Sequence, residues 1–269
     1  MSPIPSLPLI AEPQQLSAIL DHPDLLLIDL CRAETFASTH LPGAIHVEPG
    51  ELVSGIRPAT GKLPDIDRLN DLFSRIGYDA KKHIVAYDDE GGGWAGRFIW
   101  TLDVIGHAHS SYLNGGIHAW HGEGLPLTAE VTEPAHVELE VTIHPGPIAE
   151  MGDVLASIDD PGTVIWDARS AEEYAGIKVV AKRGGHVPGA INLDWLETMD
   201  RDRQLRIRED IGDVITTLGI AGKNVITHCQ THHRSGLTYL IGKSLGLSIR
   251  AYHGSWSEWG NSDTTPIER

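Results

Sequence analysis

Residues 229–235, Cys-Gln-Thr-His-His-Arg-Ser, bring a thiol, two imidazoles and a guanidinium together within one short stretch. A cysteine is a nucleophile only as its thiolate, so what matters is whether its surroundings favour the anion. The preceding β-branched run, Asn224 to Thr227, reads as a buried strand. The following residues Leu237, Leu240, Ile241, Ser244 and Leu245 recur at helical spacing. Cys229 therefore stands at the C-terminal end of a strand and faces a helix start, where backbone N–H groups and the helix dipole stabilise negative charge. We expect Cys229 to be a nucleophile that carries a charged intermediate, with Gln230, Thr231, His232, His233 and Arg234 forming the loop around it. Two plainer readings compete. Free cysteine is often a small buried core residue. Cys229, His232 and His233 could also ligate zinc, but three ligands so close in sequence with no evident fourth argue against that.

Composition bounds the partners. A formal charge of −16 over 269 residues disfavours nucleic acid and anionic membranes, though a local cationic pocket could still take a small anion. There are two cysteines, Cys31 and Cys229, too few for a disulfide framework. The first residues, Met1-Ser2-Pro3-Ile4-Pro5, lack the basic segment and apolar core of a signal peptide, and no apolar run is long enough for a bilayer. The expectation is a cytoplasmic protein acting as a monomer.

The elements that must position Cys229 alternate in type. Helices are expected at Pro13–Leu20, Arg32–Ser38, Ile66–Ile76 and Trp94–Ile105, and strands at Leu25–Asp29 and His83–Tyr87. Such alternation implies parallel α/β sheets. The second half then repeats the first. Val164–Asp167 matches Leu27–Asp29, and His186-Val-Pro-Gly-Ala-Ile191 matches His40-Leu-Pro-Gly-Ala-Ile45. The Asn224–His228 strand matches His83–Tyr87, and His253–Trp259 matches Asn114–Trp120. An ordered offset of roughly 140 positions marks a tandem duplication. The expected limits are a first domain over 1–128, a linker over 129–146 with a strand-like Val137–Val141, and a second domain over 147–269. In this register Asp88 stands where Cys229 stands, so the first copy has no nucleophile.

The paired His-x-Pro-Gly-Ala turns, the Cys229 loop and the Gly254-Ser-Trp-x-Glu-Trp259 ending resemble the two-domain rhodanese family, in its bacterial form, over nearly the whole chain. The Asp88-Asp-Glu-Gly-Gly-Gly-Trp-Ala-Gly-Arg97 loop is similar to that of the family's first domain. The resemblance implies an α/β fold of two tandem domains, each a parallel sheet flanked by helices. It also implies a ping-pong sulfurtransferase in which Cys229 takes the outer sulfur of thiosulfate as a persulfide. Cyanide, a thiol or a protein acceptor then removes that sulfur, with no metal or organic cofactor. For substrate binding it points to Arg183 or neighbouring Lys182, upstream of the second His-x-Pro-Gly turn. Trp195 is a weaker candidate for a pocket wall.

Three alternatives remain. The Gly-Ser-Gly run of mercaptopyruvate enzymes is missing after Cys229, which lowers that substrate. A cysteine-dependent phosphatase needs five residues between Cys and Arg, whereas four intervene here. A non-catalytic persulfide carrier would need the same Cys229. Features present in both copies, Asp29/Asp167, His40/His186 and Trp120/Trp259, are expected to serve folding, and Cys31 to be core.

Overall fold

The structure, a computed structural model, describes residues 4–269; Met1, Ser2 and Pro3 of the N-terminal reading lie outside the described residues. The chain divides into two compact units. The first holds residues up to Leu52, Pro64–His144 and Asp200–Ile207; the second holds Val53–Leu63, Pro145–Met199 and Arg208–Arg269.

In the first unit the strands are β1 (Ile10–Ala11), β2 (Leu25–Asp29), β3 (Ile45–His46), β4 (His83–Tyr87) and β5 (Ser110–Leu113). They form one parallel sheet ordered β1-β5-β4-β2-β3. The helices are α1 (Pro13–Ser17), α2 (Ala33–Ser38), α3 (Ile66–Arg75), α4 (Gly93–Val104) and α5 (Gly116–Gly122). β4 is buried at every position, as a central parallel strand covered on both faces must be. α3 begins where Asp65 accepts the Arg68 N–H at 2.9 Å, a cap worth about 1 kcal/mol. It turns Leu69, Leu72 and Phe73 inward. The expected elements appear with ends shifted by a residue or a few; α1 is the shortest relative to its expected span.

The second unit repeats this plan with β6 (Ile148–Ala149), β7 (Thr163–Asp167) and β8 (Ile191–Asn192), then β11 (Asn224–His228) and β12 (Ile249–Tyr252). β9 (Met199–Asp200) and β10 (Arg206–Ile207) form a separate ribbon. The parallel sheet runs β6-β12-β11-β7-β8, the same order as the first. Its helices are α6 (Met151–Ser157), α7 (Ala171–Tyr174), α8 (Ile211–Thr217), α9 (Arg234–Ser244) and α10 (Ser255–Trp259). α9 is buried from Ser235 to Gly242, an interior helix rather than a surface one.

The duplicated features serve the fold. His40 stacks on Phe36 at 4.0 Å and His186 on Tyr174 at 3.6 Å. Both histidines also bond their backbone to a late segment, His40 to Thr128 and His186 to Glu268. Trp120 and Trp259 are fully buried in the core of their own unit, and so is Cys31 in the first. Val137–Val141 forms no strand. It runs along α3 instead, with the Val137 N–H donating to Ser74 O and the Val141 N–H to Asn70 Oδ1.

Candidate active site

β11 is the central strand of its sheet and pairs His228 with Asp167. Cys229 is the next residue, at the carboxyl end of a parallel sheet, where open α/β folds bind ligands. It is unpaired and 1% exposed. Burial pushes its thiol up, but the Arg234 guanidinium, the hydroxyl and N–H of Ser235, and His233 outweigh that and hold it below its ordinary value of 9.0. The backbone around it is fixed from α10. Trp256 N–H donates to Cys229 O at 3.0 Å and Ser257 N–H to Gln230 O at 2.9 Å.

Each loop residue has its own place. His232 is fully buried with φ 56°, a left-handed conformation costly for a side-chain-bearing residue. Its Nδ1 lies 2.7 Å from Ser235 Oγ. When Ser235 gives its single hydroxyl proton to the Cys229 sulfur, His232 Nδ1 has to be the donor to Ser235. His233 precedes α9, with its ring 5.5 Å from that of Trp195. Arg234 opens α9 and forms a two-pronged ion pair with Glu173, at 2.6 and 3.0 Å. Burial pushes the Glu173 carboxyl up, and the Arg234 bonds and charge bring it below the ordinary carboxylate range. Glu173 is itself held by a capping box with Ser170 at the start of α7. Beneath the loop, Arg169 chelates Asp167 and lies 4.2 Å over the Trp256 ring.

The two expected substrate cations are engaged by the C-terminal segment. Arg183 donates to the carbonyls of Thr265, Trp259 and Ser262 and to Thr265 Oγ1, and Lys182 pairs with Asp263. Both are thus occupied by the C-terminal segment, which needs donors for its turn carbonyls. Cys229, His232, His233, Arg234 and Trp195 are brought together; Gln230 and Thr231 border the loop on the side of residues 57–61.

Sequence reasoning missed Ser235 as a sulfur partner and Glu173 as the counter-ion of Arg234. Ser170-x-x-Glu173 was readable as a helix start, but not its pairing across the unit. The part played by Val53–Leu63 was missed as well. A Cβ on Gly61 would lie 2.0 Å from Thr231 O, so only glycine lets the two backbones meet there. Lys62 bonds both Glu150 and Glu258 at 2.9 Å, and Leu63 N–H donates to His253 Nδ1. Among the described residues, no group of three or more His, Cys, Asp or Glu is arranged to hold a metal, and no helix is long and apolar enough to cross a membrane.

The family profile described as the rhodanese-like domain matches residues 12–123 and again 150–262. The chain is 48% identical to a thiosulfate sulfurtransferase of Azotobacter vinelandii and 50% identical to one of Pseudomonas aeruginosa. Each alignment covers 100% of both chains. A 3-mercaptopyruvate sulfurtransferase of Escherichia coli is 25% identical over 93% of this chain and 94% of that protein. The crystal structure of SseA from Escherichia coli superimposes with a TM-score of 0.78 at 24% identity, covering 93% of this chain and 99% of that one. Two matches to one domain profile, in the two halves that share strand order and register, have one explanation: the chain belongs to the rhodanese family and carries the rhodanese-like domain twice.

Proposed function

We propose that this chain is a thiosulfate sulfurtransferase working through a persulfide on Cys229. The Cys229 thiolate attacks the outer sulfur of thiosulfate, the S–S bond breaks, and sulfite departs with the bonding pair. The sulfur left behind is an anion, Cys229–S–S⁻, and it needs the same donors as the thiolate did. Cyanide or a thiolate then attacks that outer sulfur and releases the Cys229 thiolate, giving thiocyanate or a new persulfide. In this reading the second copy, 147–269, performs the transfer and the first, 1–128, supports it. Gln230, Thr231, His232, His233 and Arg234 form the anion loop, and Trp195 is its wall beside His233. Lys182 and Arg183 hold the C-terminal segment.

The observation that carries the reading is the buried Cys229 thiol held below its ordinary value by Arg234 and Ser235. A structural core cysteine is pushed the other way, as Cys31 is by burial and Asp29. Thiosulfate as donor is supported by two full-length relatives near half identity that bear that name. The relative named for 3-mercaptopyruvate is only 25% identical. A cytoplasmic location is part of the same proposal, in keeping with two buried cysteines that form no disulfide, and so is a monomeric state.

Intact mass tests it. Thiosulfate should add one sulfur, about 32 Da, that cyanide removes, and Cys229→Ser should fold and take up none. A serine variant that still gains labile sulfur would overturn the Cys229 assignment.

A further inference from the structure

Val53–Leu63 lies in the sequence of the first copy, after β3, yet it belongs to the second unit. The same place in the second copy, after β8, holds Asp200–Ile207, and that segment belongs to the first unit. Each copy thus contributes an arm to the unit built mainly from the other. The anchors of the two arms match. Lys62 pairs with Glu150 and Glu258, and Arg206 with Glu12 and Glu123. Leu63 N–H donates to His253 Nδ1, and Ile207 N–H to Asn114 Oδ1. Glu12 and Glu150 each precede the first helix of their unit, and Asn114 and His253 occupy one repeat position. An anchor that occurs in both units serves the fold.

What the arms bear on differs. In the first unit Gln204 O meets Gly115, just ahead of α5, where a Cβ would lie 2.6 Å from it. In the second unit the arm meets the nucleophile loop. A Cβ on Gly61 would lie 2.0 Å from Thr231 O, 2.5 Å from Thr231 C and 2.8 Å from Thr231 Cα. The Thr231 carbonyl carbon is the atom that swings when φ of His232 changes, and that φ is 56°. The other end of the rotation is fixed, since His232 Nδ1 lies 2.7 Å from Ser235 Oγ and Gly236 N–H donates to His233 O at 2.8 Å. A left-handed residue with a side chain persists only where its surroundings over-determine it. Gly61 supplies the missing restraint on the Thr231 side.

We propose that the Val53–Leu63 arm is a positioning element for the nucleophile: Gly61, seated against Thr231, keeps His232 left-handed and thereby keeps Ser235 turned to the Cys229 sulfur. The proposal rests on Cys229 being the reactive thiol. It gives the first copy, which has no nucleophile of its own, a share in the chemistry of the second. Gly61 touches no reacting atom and acts only through the loop.

Gly61→Ala puts a methyl where there is no room for one. The arm is braced around that point by Ser54 N–H to Lys62 O at 2.7 Å and by the Lys62 and Leu63 anchors, so the loop is the part that gives way. Sulfur loading from thiosulfate should slow about tenfold, as a displaced nucleophile predicts. The pH midpoint of Cys229 alkylation should move upward as Ser235 turns away. A purely structural Gly61 would lower the thermal midpoint alone. That result, with loading and alkylation as in the native protein, overturns the proposal. Lys62→Gln loosens the arm without adding bulk and decides the matter if the alanine variant does not fold. Hydrogen exchange over 230–236 should quicken about tenfold while 255–259 of α10 keeps its protection, and Lys62→Arg should restore the native pattern. Native exchange over 230–236 overturns the proposal, and so does equal quickening in α10, which would assign the effect to Glu258. Neither alkylation nor exchange requires sulfur transfer. A native protein that takes up no sulfur would therefore refute the persulfide reading and leave these two readouts to decide the arm.

Discussion

The Asp88 loop and the Cys229 loop leave equivalent central strands in the same register, yet they dispose of their N–H donors in opposite ways. Asp88 turns its carboxylate back into its own loop. Oδ1 accepts from Glu90, Gly91 and Gly92 at 3.1, 3.1 and 2.8 Å, and Oδ2 from Ala95 at 3.0 Å. The residues opening that nest are Gly91, Gly92 and Gly93, with φ 98° and 102° at the first two. In the second unit the corresponding places hold His232, His233 and Arg234, and the acceptor is a sulfur in contact with Ser235. One loop is a closed anion–donor pair, while the other sets a cation and a hydroxyl beside its thiol. The nest of N–H groups is thus a property of the fold, and the residue seated in it decides whether there is chemistry.

The largest test converts one loop into the other. Cys229→Asp should fold with an unlowered thermal midpoint, because a carboxylate there meets Arg234 and Ser235, and it should take up no sulfur from thiosulfate. Residual labile sulfur by mass would break the comparison. Arg234→Gln comes next. It removes the main pull on the thiolate and leaves Glu173 buried without its cation, so transfer should fall about a hundredfold. Stability should fall by about 3 kcal/mol. The pH profile gives the sign. A lowered thiol pKa keeps Cys229 reactive with iodoacetamide below 9.0 in the native protein, and the midpoint should move upward in Arg234→Gln. An unmoved midpoint would mean that Ser235, not Arg234, sets the thiolate.

Asp88→Cys sharpens the same contrast from the other side. The first loop has no counterpart of Arg234, since Gly93 opens α4, and the buried Arg97 is turned to Leu52 O and the Trp100 ring. Thiosulfate should therefore add one labile sulfur to this variant and not two, and a second would refute the role given to Arg234. Asp88→Asn keeps the size but turns an NH₂ toward a donor, and should cost the first unit about 2 kcal/mol in denaturant unfolding.

Much of this contrast was legible in the sequence. The repeat, the strand before each loop and the Asp88/Cys229 equivalence followed from periodicity and motif order, because local pattern fixes strand and helix identity. Asp89 and Glu90 make the first loop acidic. The structure shows Asp89 engaged with Arg32 and Thr35, and the nest itself filled by Asp88. Glu173 and Arg234 stand 61 positions apart, and the Arg183 bonds reach across 76 to 82 positions. Pairings over such distances depend on packing that no local window contains. The assignment of Val53–Leu63 to the second unit is of the same kind: the Gly61 approach to Thr231, the Lys62 ion pairs with Glu150 and Glu258 and the Leu63 bond to His253 hold it there.

The smallest test concerns the backbone that both loops lean on. Asp88 O accepts from Ile117 N–H at 3.2 Å and Cys229 O from Trp256 N–H at 3.0 Å. The residue before each donor has the same left-handed φ: 55° at Gly116 and 53° at Ser255. At Gly116 a Cβ would sit 2.1 Å from Asp88 O, so Gly116→Ser should cost about 2 kcal/mol from clash and conformation together. Ser255 already bears a Cβ in that conformation, and its hydroxyl donates to Tyr252 O at 2.9 Å while lying 3.4 Å from Cys229 N. Ser255→Gly therefore exchanges about 1 kcal/mol of left-handed strain for a hydrogen bond of similar worth. Its unfolding midpoint should hardly move, whereas the rate of sulfur loading should drop a few-fold, as the chain before the nucleophile loses a tether. A stabilised variant with full activity would mean that Ser255 is only strain, and that the two loops differ in nothing beyond the residues that touch the anion.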